Sequence, residues 1–476
     1  MMNKNIYRTL LIGLLLQMCV AVEAQTLSWQ QCREMALQNN KEITKAKTQM
    51  DQIASDVESY KSNFYPRISI IATDIYSTGK GNFTLEGGHL PIYSYSEAAG
   101  SYVPNVIVNP DGSYTLSQYA DFPSQKLDLK VKNVFMGGIM LNQPLYMGGK
   151  ITTAYEMSKI GQRMAELNVA LTEDDIIVKT DEAYILVIKA KEMIQVAQKY
   201  KALLDELMKN VDSAFRHGLK TRNDKMKVQV KLNEAELNIT KAENAFRLAK
   251  MNLCHYIGLP ITSDIDVEAG EAIISGPQES IASNEIDVSN RLEHKLLEMQ
   301  VEMAKNQVRL TKSDYMPNVV LTGGYTYTNG LELAGKRLIN GGQATVGVGV
   351  KVPILNFGEG SSKVRSAKAK QQIAQLEQED MTEKMMLEQQ QARNNLEEAA
   401  KEVELTKNAF DQAEENVKLS RQQYEVGYET LSDHLESQAI WQKAYADRVD
   451  ANCQYRLAQV KYQKSLGQIS NSVKHQ

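Results

Sequence analysis

Apolar residues recur at every seventh position along two long stretches of the chain. Leu396, Val403, Phe410, Val417 and Tyr424 form one series, with Ala399, Thr406, Ala413 and Ser420 between them. Val187, Ile194, Met208 and Phe215 form the other, interleaved with Ala190, Ala197, Leu204 and Val211 and interrupted by Lys201. A spacing of seven with an intermediate position is a heptad seam, the signature of packed helices. The seam is narrow and rich in alanine and the remaining faces are polar, so these helices can pack closely side by side with water on at least one surface. Proline placement sets their limits. The ten prolines leave 145–259, 278–316 and 354–476 free, and a proline inside a helix costs about 3 kcal/mol. One helix is predicted from about Lys150 to Phe215, roughly 100 Å long at about 1.5 Å per residue. A second runs from about Gly360 to Tyr424.

Four segments alternate with period two instead. Asn318 to Thr328 puts Val319, Leu321, Tyr325 and Tyr327 on one side. Thr345 to Val352 puts four valines on one side and Thr345, Gly347, Gly349 and Lys351 on the other. Leu127 to Lys132 alternates as cleanly and continues towards Gln143, and Ile68 to Tyr76 is β-rich. These patterns predict strands with one apolar face, over about 67–80, 127–143, 318–328 and 345–355.

Each long helix runs into the same short sequence. Phe215-Arg-His-Gly218-Leu-Lys-Thr221-Arg-Asn-Asp224 and Tyr424-Glu-Val-Gly427-Tyr-Glu-Thr430-Leu-Ser-Asp433 share aromatic, glycine, threonine and aspartate at equal spacing. A glycine free to adopt the left-handed conformation ends a helix. A threonine followed three residues later by an acid starts the next. Both copies therefore predict the tip of a helical hairpin.

The repeat extends to the whole chain. Ser62-Asn-Phe-Tyr-Pro66 matches Ser313-Asp-Tyr-Met-Pro317, Pro144 to Gly149 matches Pro353 to Gly358, and Ile257-Gly258 matches Leu466-Gly467. The offset is 251 at the first pair and 209 at the others, which locates an insertion of about 42 residues in the first strand hairpin. It is the Tyr-, Ser- and Gly-rich stretch around Asn82 to Gln125, with a turn at Asn109-Pro-Asp-Gly112. Predicted organisation is thus a first repeat over 25–258 with helical hairpin 150–257, a linker over 259–290, a second repeat over 291–467 with helical hairpin 359–466, and a polar tail over 468–476.

Residues 1–24 read as a secretory signal peptide, with Lys4 and Arg8 before an apolar run from Leu10 to Val22. Its loss removes Lys4, Arg8 and Glu23, moving the formal charge from −4 to about −5, which argues against a nucleic-acid partner. A lipid anchor at Cys19 fits poorly with Leu16, Gln17 and Met18 before it. Cys32, Cys254 and Cys453 form neither a disulfide framework nor a metal spacing and read as buried small hydrophobes. No other stretch approaches 18 uninterrupted apolar residues, so no transmembrane helix is expected. The six histidines are scattered with no HExxH, Gly148-Gly149-Lys150-Ile151 lacks the hydroxyl of a phosphate loop, and no Gly-x-Ser-x-Gly elbow exists. The chain reads as a non-enzyme with no cofactor and no metal.

Exported strands with one apolar face, and no membrane helix, suit an outer membrane, where only closed barrels satisfy the backbone. Such barrels take at least about eight strands. One chain offers four, so several chains must contribute. This duplicated pattern resembles the TolC-like outer membrane efflux proteins over roughly 27–467, carried by Leu27, Ala36-Leu37, Asn40, the paired prolines and both tips. The resemblance implies a mainly α fold with a small β part: a homotrimer with a twelve-stranded barrel in outer-membrane lipid, and long helical hairpins forming a periplasmic α-barrel. It implies an exit duct of a tripartite efflux or type I secretion system, partnered by a periplasmic adaptor protein and an inner-membrane transporter. Lys41 after Asn40, where the family often has proline, and the long first outer loop depart from the family pattern.

The same resemblance assigns site residues. Asp433 and Glu436, three apart on one helix face, would form rings of acids at the pore constriction. Tyr424 and Asp224 would bond across neighbouring helix pairs and hold the gate shut, although Glu429 stands where the family has a basic partner. Gly218, Leu219, Thr221, Gly427, Tyr428 and Thr430 would contact the adaptor. For the glycines and threonines turn chemistry suffices; exposed Leu219 and Tyr428 are less easily explained that way. The heptads alone would also allow a secreted coiled-coil structural or adhesin protein, against which the strands at equivalent places in both halves argue. A polar duct encodes no cargo.

Overall fold

The computed structural model describes residues 25–76, 80–268, 287–333 and 336–469. The expected signal peptide with Cys19, much of the expected linker and nearly all of the expected tail lie outside them. In order, the chain forms β1 (Gln25–Leu27), α1 (Trp29–Asn39), α2 (Lys41–Ser62), β2 (Arg67–Tyr76) and β3 (Lys80–Leu85). Six short strands follow: β4 (Gly88–Pro91), β5 (Tyr93–Ser96), β6 (Ser101–Pro104), β7 (Val106–Val108), β8 (Tyr114–Leu116) and β9 (Tyr119–Phe122). Then come β10 (Gln125–Met147), α3 (Lys150–Arg216), α4 (Arg222–Ile257), β11 (Ile265–Val267) and α5 (Leu292–Ser313). The chain continues with β12 (Asn318–Leu333), β13 (Lys336–Lys351), α6 (Glu359–Glu425) and α7 (Leu431–Ser465). Among the described residues, no helix is long and apolar enough to cross a membrane.

The residues divide into two compact units. The first holds the segment up to Val57, Glu156–Val308 and the chain from Arg365 onward. Its helices pack along the predicted seams: Val187, Leu204 and Val211 are fully buried, as are Leu396, Val403, Phe410, Ala413 and Ser420 to within a tenth. One apolar cluster joins both hairpins, with Leu204, Leu207 and Val211 of α3 and Val228 and Leu232 of α4 against Phe410 of α6 and Leu431, Leu435 and Trp441 of α7. Another is built from Cys32 and Ala36 of α1, Val187 and Ile188 of α3, Leu253 and Cys254 of α4, and the parallel pair β1–β11. At its edge the polar pair Arg33–Asp181 is bidentate at 2.8 and 2.6 Å and almost wholly buried. Asn40 ends α1 and starts α2: its Nδ2 donates to the Tyr256 carbonyl at 2.9 Å while its Oδ1 accepts from the Glu42 N–H at 2.8 Å. That capping does the work a proline at the next position would do by fixing φ.

The second unit holds Glu58–Tyr155 and Arg309–Val364. Its centre is an antiparallel sheet in the order β13-β12-β10-β2, with β3 also pairing with β10 beyond β2. Among the described residues, no second layer covers this sheet. Val346, Val348 and Val350 are 83, 62 and 63% exposed, and Ile68 and Ile70 are 69 and 80% exposed. Strands β2 and β13 lie at its two edges.

The strands differ in length from the alternation. The fourth is Lys336–Lys351 rather than 345–355. Pro353 has no N–H to donate, which ends the ladder early, while Asn340, Gly341 and Gly342 pair with β12 although their composition hides it. β10 continues past Pro144 through a register shift between Pro144 and Tyr146, the usual way a strand absorbs a missing donor. β2 stops at Tyr76. The insertion is ordered: β4–β9 forms a stem bearing the hairpins β5–β6 and β7–β8. Asn105 knots them. Its N–H donates to Ile92 at 2.9 Å, its carbonyl accepts from Ser117 at 2.9 Å, its Nδ2 donates to Gln118 Oε1 at 3.0 Å, and its Oδ1 accepts from Ser94 Oγ.

Candidate functional site at the helical tips

Each long helix stops because a glycine inverts the backbone. Gly218 and Gly427 have φ of +75° and +85°. The two hydrogen bonds that close such an ending are present in both copies. Gly218 N–H donates to Phe215 at 3.0 Å and Leu219 N–H to Ala214 at 2.9 Å; Gly427 N–H donates to Tyr424 at 3.2 Å and Tyr428 N–H to Gln423 at 2.8 Å. These satisfy carbonyls that the helix end leaves open. The return helices then start from Thr221 and Thr430, both extended, each in a complete capping box with Asp224 or Asp433.

The capping bonds hold Asp224. Its carboxylate accepts from the Thr221 N–H at 2.9 Å and from the Thr221 hydroxyl at 2.8 Å, and these bonds hold the carboxyl below its ordinary range. Asp433 accepts from Thr430 in the same way, at 3.3 and 2.6 Å. Asp433 and Glu436 are exposed on the first turns of α7. Leu219 and Tyr428 stand out from the tips at 77 and 89% exposure. Phe215, read as the last seam position, is 39% exposed, because the seam runs out where the helix ends.

Tyr424 is half-buried and stacks on His434, rings 5.3 Å apart and 6° from parallel. Burial raises its phenol, and the charge of Asp224 adds to that. No hydrogen bond joins Tyr424 to Asp224 within the chain, among the described residues. Lys220 of the first tip lies instead 4.7 Å above the Tyr424 ring, a cation over an aromatic face.

Sequence reasoning missed the contacts that join the two tips. Lys227 Nζ donates to Ser432 Oγ at 3.1 Å. Arg421 donates to Glu206 at 2.6 Å and, on its own helix, to Glu425 at 3.0 Å. His434, set aside among scattered histidines, is 3% exposed. Ser420 Oγ is 2.9 Å from its Nδ1 and Gln438 Nε2 is 3.0 Å from its Nε2. Both ring nitrogens of His434 are thus engaged by neutral polar groups. Burial pushes its pKa down. A signal for this existed: Ser420 falls in the apolar seam, and a buried hydroxyl needs a partner.

The model of the family described as Outer membrane efflux protein matches residues 32–259 and 289–468. The chain belongs to this family. It is a TolC-like outer-membrane protein with a helical periplasmic portion, mainly α with a small β part. Outer membrane protein TolC of Vibrio cholerae is 20% identical over 264 residues, 55% of this chain and 58% of that protein. Alkaline protease secretion protein AprF of Pseudomonas aeruginosa is 21% identical over 238 residues, 49% of each. The chain thus matches about half the length of these relatives. Among solved structures, the CusC transmembrane channel is similar with a TM-score of 0.72 over 92% of both chains at 12% identity, a likeness of fold.

Proposed function

We propose that this chain is the outer-membrane exit duct of a tripartite efflux or type I secretion system. The observation that carries the reading is the uncovered sheet. Its valines and isoleucines face no protein layer, and its edge strands leave backbone donors and acceptors open. Lipid suits the apolar side chains, and closure against further copies suits the edges. Four long strands from each of three copies give the twelve of a closed homotrimeric barrel, with β13 of one copy beside β2 of the next. A scaffold or adhesin gives such a sheet no purpose.

The tips are the periplasmic gate in this reading. Threefold repetition turns Asp433 and Glu436 into rings of like charge around the axis, which attract cations and repel one another. Tyr424 and Asp224 take part in holding the tips together. Exposed Leu219 and Tyr428, presented by Gly218, Thr221, Gly427 and Thr430, offer the contact for a periplasmic adaptor that joins an inner-membrane transporter and opens the duct.

Planar-bilayer recording of the purified protein tests both levels. A discrete cation-preferring conductance is expected, with preference and cation block reduced in Asp433→Ala/Glu436→Ala. Absence of conductance overturns the channel reading; unchanged selectivity overturns the gate assignment. Undiminished co-purification of the adaptor with Gly427→Trp counts against docking at the tips.

A further inference from the structure

Above the tips, α3, α6 and α7 enclose a cavity of about 380 Å³. One wall is aromatic. The ring of Phe410 lies 5.0 Å from Tyr445 and 6.4 Å from Trp441, and Trp441 lies 5.7 Å from Tyr445. Two cations frame that wall: Arg448 over Phe410 at 4.9 Å and Lys199 over Tyr445 at 5.0 Å. Neither cation has a carboxylate within ion-pairing distance among the described residues. Glu414 in the same wall is paired with Lys418 at 3.7 Å, and Glu192 has no ion pair among the described residues. The charge left unpaired is therefore two positive against one negative. Burial pushes the Cys453 thiol up to about 11, so it adds no charge.

The second observation is Asn452. It lines the cavity, is 7% exposed, and among the described residues its carboxamide has no hydrogen-bond partner. An unpaired amide at an aromatic wall, with an excess of positive charge, is a receptor for a group that is flat, apolar and anionic.

We propose that this cavity binds a small planar aromatic carboxylate, its ring against Trp441 and Tyr445, its carboxylate between Arg448, Lys199 and the Asn452 amide. A cationic aromatic would meet two like charges whose favourable ring faces are already occupied. The ligand would bridge α3 of the first hairpin and α6–α7 of the second, so binding stabilises the pair. The site lies apart from the tip residues and does not depend on the gate assignment.

The test uses the full-length protein in lipid nanodiscs and 2-naphthoate as probe. Trp29→Phe leaves Trp441 as the single indole of the two in the chain, so its emission reports the cavity. Saturable change in that emission, matched by calorimetric binding and a raised thermal midpoint, is expected at sub-millimolar 2-naphthoate. Affinity should fall at least tenfold for 2-naphthylmethylamine, and at least tenfold in both Arg448→Gln and Asn452→Leu, each first shown to keep the parent's thermal midpoint without ligand. Lys199→Gln replaces either variant that unfolds. No saturable binding at millimolar probe overturns the proposal, as does equal affinity for the amine or binding unchanged in the variants, which marks adventitious partition.

Discussion

Tyr424 stacks flat on His434, rings 5.3 Å apart, so the last seam residue of α6 rests on a histidine in the first turn of α7. The imidazole is enclosed by Ser420 and Tyr424 from α6 and Gln438 from its own helix. Arg421 and Glu425 of α6 and Glu429 of the turn face it with opposite charges. Its folded pKa is lowered from 6.5 chiefly by burial. The unfolded chain therefore takes up this proton first on acidification. The stabilisation is complete above about pH 6.5 and is lost as pH falls through the folded value. Thermal unfolding should thus show a midpoint that declines below pH 6.5, and His434→Gln should flatten that decline. An identical slope in the variant would refute the assignment.

The caps set the local stability of the tips. Thr221→Ala and Thr430→Ala should each cost about 1 kcal/mol. The loss should appear as faster amide exchange in the first turns of α4 or α7, not as global unfolding.

Besides Lys220 over Tyr424, the exposed contacts Lys227–Ser432 and Arg421–Glu206 join the tips among the described residues. Each contributes at most about 1 kcal/mol, enough to move the proposed gating equilibrium about fivefold. Lys227→Ala/Arg421→Ala should keep the thermal midpoint and raise the open fraction in bilayer recordings several-fold.

The buried pair Arg33–Asp181 behaves differently. Asp181→Ala leaves the Arg33 guanidinium enclosed without its counter-charge and should cost about 3–5 kcal/mol in denaturant unfolding.

In the insertion, Asn105→Ala removes the knot between stem and hairpins. Limited proteolysis within 88–122 should accelerate, while the long β10 ladder keeps the thermal midpoint unchanged.

Much of this was legible in the chain. The seven-residue spacing at Leu396, Val403 and Phe410 marks helix because side chains three to four apart share a face. The Gly-x-x-Thr-x-x-Asp pattern marks each tip because its bonds are local. Strand ends were less legible, since the pairing of Asn340 to Gly342 depends on the neighbouring strand rather than on their own composition.

The sequence by itself determined the repeat, the long helices, both turns and the alternating strands, all of which rest on interactions within a few residues. Only the tertiary structure decided which side chains meet: Lys227 with Ser432, Lys220 over Tyr424, His434 between Ser420 and Gln438, and Phe410 with Trp441 and Tyr445. These partners lie between 4 and more than 200 positions apart. The distant ones meet because the seams bring separate helices into register, a consequence of packing that local spacing does not contain.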